Sequence, residues 1–374
     1  MGPLRTLCKR SMSFALLALA TASTINQSYA DPTWSTEIPM GTCREAFATA
    51  VAEVAGVPRI FVIGGISSSQ DMLTSVEALS PGSGWISRAP LPTALREMAV
   101  ATGADGKIYV LGGRPNTIST PVATTYVYDP VANTWSTGAS MPTARYGAMA
   151  CLSGGFIYVC GGRTSTALVS TVERYDPTTN TWATMASMPT ARYGGGAAEA
   201  CVGAGDWRIF VIGDNGATPA WAKTNEAYNP ATNTWSSRAA VPIERYGVRV
   251  VRGSDGFLYA LGGAGAGGFT TPTVQKYNPN TDAWLSQPPD MPTSRFLHGA
   301  ALIDNRVYAL GGRSQTGPNV VTCATESFGA LSYSLDCLPA FVLPGLSLGG
   351  LIALALALVG IGTAFVLRRR DALA

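Results

Sequence analysis

Short apolar runs closed by a pair of glycines recur along the chain at a spacing of about 50 residues. The pairs are Gly64-Gly65, Gly112-Gly113, Gly161-Gly162, Gly262-Gly263 and Gly311-Gly312, with a degenerate copy at Gly213-Asp214. Runs such as IYVLGG, IYVCGG and LYALGG are continuously apolar, which suits a strand buried on both faces. A tryptophan keeps step with them at Trp34, Trp85, Trp135, Trp182, Trp235 and Trp284. The pattern therefore counts six units.

Each unit reads as four short strands. In the third they fall at 146–152, 156–159, 171–175 and around Trp182, and Ser153-Gly154-Gly155 is the hairpin turn between the first two. Turns such as Asp129-Pro130, Asp176-Pro177, Asn229-Pro230 and Asn278-Pro279 precede the tryptophan, because Asp and Asn bond their own backbone and Pro presets φ. No stretch with helical period and caps occurs between 31 and 335. The glycine pair gives room for a bulky group, the tryptophan being the natural one, or a twist that a Cβ forbids.

The units start and stop out of phase. Trp34 belongs to a fourth strand with no three strands before it, whereas the sixth unit has its Gly311-Gly312 and Glu326 but no tryptophan strand after them. The two deficits match. The strand around Trp34 is expected to complete the sixth unit and close a ring, leaving no open edge.

Composition supports an all-β chain: 42 of 374 residues are glycine, against a usual share of about 7%. The formal charge of +3 comes from the ends, Arg5, Lys9 and Arg10 at one and Arg368, Arg369 and Arg370 at the other. The middle is near neutral, without the clustered basic surface of a nucleic-acid binder. Residues 1–30 have a basic start, an apolar stretch and a small-residue end at Ser28-Tyr29-Ala30, the pattern of a secretory signal peptide. From Leu346 to Leu367 no residue is charged and three arginines follow, as expected of a membrane-spanning helix with its basic end in the cytoplasm. The expected domains are 1–30, a ring of 31–337, and an anchor of 338–374. Outside the leader the six cysteines are Cys43, Cys151, Cys160, Cys201, Cys323 and Cys337, an even number in an exported chain. They allow 15 pairings; Cys323 with Cys337 is the expected one, and buried free thiols are the alternative.

The repeats resemble kelch repeats over about 300 residues. The marks are the glycine pair, Tyr128-Asp129-Pro130 and Tyr175-Asp176-Pro177, the spaced tryptophan and Glu173; Gly213-Asp214, Ser80-Pro81 and Gln275 depart from them. The resemblance implies a six-bladed β-propeller around a central channel with the first strand of each unit innermost. The tail from Leu343, with Pro344, Leu346-Ser347 and Gly350, resembles IPTL-type sorting signals of Gram-negative envelope proteins, although Leu348 and Gly349 replace the usual acidic and aromatic residues. That implies recognition by a sorting protease; a plain membrane anchor is the alternative.

In antiparallel order the start of the first strand and the end of the second share one end of the blade. Arg44, Arg96, Arg145, Arg192, Arg245 and Arg295 are placed at the former, and Arg114, Arg163 and Arg313 at the latter. Together they predict a ring of guanidinium groups at one mouth, suited to anions; the alternative is that they pair with Glu77, Glu173, Glu226 and Glu326. Trp221, in a variable loop opening on the same face, is the candidate contact residue. Gly263, Gly265 and Gly268 spell a dinucleotide motif, but no helix follows. A single histidine, His298, excludes a multi-histidine metal centre such as kelch-type oxidases carry. No cofactor or catalytic residue is expected. The leading expectation is a protein- or glycan-binding propeller displayed at the cell envelope. Alternatives are a structural envelope protein and an enzyme on an acidic sugar, since some secreted kelch proteins are sialic-acid mutarotases; the latter needs an acid or base from Glu45, Glu97, Glu199 or Glu244.

Overall fold

The computed structural model describes residues 33–115, 120–203, 205–213, 223–265, 269–285, 288–314 and 320–329. Among these residues the strands form six four-stranded antiparallel sheets, each a blade with its first strand innermost. Blade 3 runs Met149–Ser153, Phe156–Cys160, Val172–Asp176 and Thr181–Met185, close to the expected limits except at its start. The inner strand begins three residues late, because Gly147 at φ 62° interrupts the extended backbone after Tyr146.

The sixth blade is closed as the sequence predicts. Trp34–Glu37 pairs antiparallel with Thr325–Phe328, Trp34 opposite Phe328. Closure has a covalent part that corrects the expected disulfide: Cys323 is bonded to Cys43, across 280 residues, and not to Cys337. Sequence proximity favoured the local pair, but ring geometry brings the first and sixth blades together. Cys201 is also disulfide-bonded, whereas Cys151 and Cys160 are free thiols. Burial pushes the Cys160 thiol up to about 12.

Neighbouring blades are joined by the repeated landmarks. All six tryptophans donate their indole N–H to a carbonyl in the connection entering their own blade, as Trp135 does to Ala89 and Trp182 to Ala139. The glycine pair meets other groups than tryptophan. A Cβ on Gly161 would lie 2.5 Å from the Arg192 carbonyl and 2.6 Å from Met188, and the Gly162 N–H donates to that carbonyl at 2.8 Å. The pair thus lets one blade's backbone touch the next, at positive φ on both glycines. Among the described residues no helix is long and apolar enough to cross a membrane; the leader and the predicted anchor fall outside them.

Candidate functional site

The expected ring of exposed arginines is largely replaced by a buried one. Arg44, Arg145, Arg192, Arg245 and Arg295 are at most 1% exposed. Each reaches across its own blade to the third strand: Arg44 to Glu77 at 2.5 Å, Arg145 to Glu173 at 3.1 Å, Arg192 to Glu226 at 2.9 Å and Arg295 to Glu326 at 2.7 Å. Donors on each also serve backbone carbonyls, as Arg295 does at Gly311 and Ala324 and Arg145 at Val159, although Nε and Nη1 of Arg145 meet no acceptor among the described residues. Burial pulls the Arg44, Arg145 and Arg295 guanidiniums down, and the facing glutamates oppose it. These arginines fasten strands within a blade, with their side chains out of contact with solvent.

Arg96 belongs to another register. In blade 2 the residue whose carbonyl meets the preceding glycine pair is Leu95, so Leu95 occupies the repeat arginine's place. Its neighbour in the third strand is Tyr126, whose hydroxyl bonds Thr93 as Glu173 accepts from Thr143. Arg96 stands one residue further on, alongside Glu45, Tyr146, Tyr193, Tyr246 and Phe296 in the other blades. These residues form the rim.

Arg114, Arg163 and Arg313 lie at this mouth as expected, bridged to the rim by the pairs Arg96–Arg114, Tyr146–Arg163 and Phe296–Arg313. Arg114 pairs with Glu97 at 2.9 Å and stacks over Tyr146 at 4.4 Å. Arg313 grips Glu45 with two donors. Among the described residues Arg96 and Arg163 form no ion pair. The mouth thus offers half-exposed arginine and tyrosine, the residue types enriched at binding hot spots. Trp221 and Asp214 lie outside the described residues.

Below the rim the channel narrows to a neck. Ala46, Glu97, Gly147, Gly194, Gly247 and Leu297 all have φ between 50° and 74°. Their backbones hydrogen-bond from blade to blade, Glu97 to Ala46, Gly147 to Glu97, Gly194 to Gly147, Gly247 to Gly194 and Ala46 to Leu297. The left-handed conformation turns each N–H sideways along the ring. Inside it is a cavity of about 250 Å3, walled mainly by Ala, Gly, Val and Met together with Glu97, Tyr193, Tyr246 and Arg249.

Arg249 is a residue that repeat reasoning passed over. Its equivalents, each paired with the residue before a glycine pair, are Ala48, Ala99, Met149, Gly196 and Gly299. That contrast was visible in the sequence. Arg249 donates from Nε to the His298 carbonyl at 2.7 Å, and burial pulls its guanidinium down to about 10, against the field of Glu97.

His298 is wholly buried, with no hydrogen-bond partner on either ring nitrogen. Burial first, then Arg249, Arg295 and Arg245, hold its pKa well below the usual 6.5. The folded protein therefore refuses a proton that the unfolded chain accepts below pH 6.5. As pH falls below 6.5 this group should cost stability with a slope that rises towards about 1.4 kcal/mol per pH unit. His298→Met, which copies Met98 of blade 2, should flatten that slope in urea titrations; an unchanged slope would count against a neutral His298.

The proposed acid–base carboxylates are already engaged or distant. Glu45 and Glu97 hold Arg313 and Arg114. Glu199 lies on the inner strand of blade 4 six residues beyond Tyr193 and does not line the cavity. Burial pushes its carboxyl up, partly opposed by Ser153 and Arg252. Glu244 precedes the buried Arg245.

A six-bladed propeller built from such units defines the class of protein. Residues 16–214, more than half of the chain, match the KLHDC2/KLHL20/DRC7 Kelch-repeats domain, and the chain belongs to the kelch-repeat family. Kelch-like protein 25 of Xenopus tropicalis is 30% identical over 181 residues, covering 46% of this chain and 30% of that one. Beta-scruin of Limulus polyphemus is 29% identical over 152 residues, covering 38% of this chain and 16% of that one. The matches thus span less than a third of these relatives' own length. The solved structure of YjhT superposes with a TM-score of 0.61 at 17% identity, over 76% of this chain and 95% of that one, a likeness of fold.

Proposed function

We propose that this chain is an exported, envelope-displayed binding propeller that takes an acidic segment of a partner protein at its arginine- and tyrosine-bearing mouth. The carrying observation is the pair Arg96 and Arg163, neither of which contacts a carboxylate within 4.0 Å among the described residues, Glu97 and Glu45 acting on Arg96 only from further off. An aspartate or glutamate of the partner would supply one, with the tyrosines giving rigid contact area. Export is supported by the leader pattern and by the Cys43–Cys323 disulfide, a bond that persists in oxidising compartments. The uncharged stretch before Arg368 would hold the propeller at the membrane unless a sorting protease removes it.

The residues that test this are the rim arginines and not the buried ones. Residues 31–337 would be probed on an acidic-peptide array and a glycan array in parallel. Arg96→Ala/Arg163→Ala should weaken acidic-peptide binding roughly 30-fold or more while leaving the melting temperature unchanged. Binding to glycans alone would favour the glycan reading, and binding that survives the double substitution would reject the mouth. The reading of an enzyme on an acidic sugar has less support, because Glu45 and Glu97 each already serve an arginine.

A further inference from the structure

Blade 5 departs from the repeat in two ways that change local charge. Its buried Arg245 faces Gln275, so the guanidinium meets a neutral amide where Arg44, Arg145, Arg192 and Arg295 meet a glutamate. Among the described residues, the carboxylate whose field acts on Arg245 is Asp290. Then Arg249 places a guanidinium at the cavity wall, and among the described residues no carboxylate pairs with it within 4.0 Å.

Blade 2 departs from the repeat on the opposite side of the ring. Three blades carry glycine at the left-handed neck position, but blade 2 carries Glu97 at φ 55°. A non-glycine residue is strained in that conformation. The strained backbone puts a carboxylate at the cavity wall. Oε1 of Glu97 accepts from Arg114 at 2.9 Å; Oε2 is buried and has no donor among the described residues. The cavity between the two blades therefore has, on one wall, a guanidinium that no carboxylate contacts within 4.0 Å and, on the other, a carboxylate oxygen without a donor among the described residues.

We propose that the channel below the mouth is a second binding site, for a small carboxylate that also carries a hydroxyl or ammonium group. Arg249 holds the carboxylate from blade 5, and Oε2 of Glu97 accepts from the hydroxyl or ammonium. The size is set by the cavity, whose 250 Å3 is below the roughly 300 Å3 at which drug-sized pockets begin. One sugar acid or one amino acid fits that description. The small residues at the equivalents of Arg249, Ala48, Ala99, Gly196 and Gly299, leave the space open. The site does not depend on the rim arginines, so the two readings stand or fall separately.

The test is calorimetric titration of residues 31–337 with D-glucuronate, L-aspartate and, as the neutral match, D-glucose. At least one of the two acids should bind while glucose does not; glucuronate alone marks a hydroxyl donor at Glu97 and aspartate alone an ammonium. Arg249→Gln should weaken that binding at least about tenfold, as expected when one partner of a desolvated ion pair is truncated. Arg163→Ala should leave it unchanged. Failure of both acids to bind better than glucose overturns the proposal, as does binding that survives Arg249→Gln. The wild-type comparison of acids with glucose holds whether or not that variant folds. A second readout is stability without ligand: Arg249→Met gives up the Nε bond to the His298 carbonyl but no ion pair, so it should lower the melting temperature by only about 2–4 °C. A large fall would make Arg249 structural and sink the proposal.

Discussion

Replacing Arg145 by leucine should lower the free energy of unfolding by about 3–5 kcal/mol, the cost of leaving one member of a buried ion pair behind. Glu173 would remain 1% exposed in the third strand with only the Thr143 hydroxyl at 2.7 Å for company. The chain contains its own control. Blade 2 fills the same two positions with Leu95 and Tyr126, and the tyrosine hydroxyl takes over the bond to the threonine at 3.0 Å. Arg145→Leu/Glu173→Tyr should therefore recover most of what the single substitution loses. Urea unfolding of the two singles and the double gives the coupling, which should exceed 2 kcal/mol in favour of the double. Additive effects would mean that the arginine does more than answer the glutamate. Peptide binding should be the same in the folded double variant as in the wild type, because neither side chain reaches the mouth.

Arg145 also shows where sequence reasoning reaches its limit. The repeat, the six units, the turn residues and the closing strand were legible because each depends on periodicity and backbone chemistry, which residue types report directly. Direction was not legible. An arginine next to a strand start points to solvent or folds back over its own blade depending on a glutamate some 30 residues away, and only three-dimensional packing decides between them. Register was misread in blade 2, where Leu95-Arg96 invites alignment of the arginines although the carbonyl that meets the glycine pair belongs to Leu95. Arg249 and Glu97 were legible in principle as the charged residues at positions that most other blades give to small ones. They stay hidden while attention rests on what recurs, because a repeat explains its shared residues by scaffold and leaves its exceptions for function.

Removing the Cys43–Cys323 bond should be the largest single loss of stability outside the blades themselves. Loop-closure entropy for 280 residues gives about 5–6 kcal/mol as an upper figure. Cys43→Ala/Cys323→Ala should approach that value, with less to the extent that the unfolded chain is compact. A propeller makes the effect specific. Five of its six blade interfaces join sequence neighbours, so their loops are short; the interface between blades 6 and 1 joins the ends of the ring and has the largest closure entropy to overcome. Three devices act on it together: the disulfide, the Met40 N–H to the Cys323 carbonyl at 3.0 Å, and the outer strand Trp34–Glu37, with Trp34 against Phe328 and bonded to Pro289 at 2.8 Å. Deleting residues 31–37 should also destabilise the ring, and expose the third strand of blade 6 as an open edge. Because the disulfide and the strand restrain the same stretch of chain, their losses should not add: with the strand gone, cutting the disulfide should open the ring and lose cooperative unfolding. Calorimetry of the two variants and their combination decides it. Identical melting temperatures with and without a reductant would show that packing between blades closes the ring unaided.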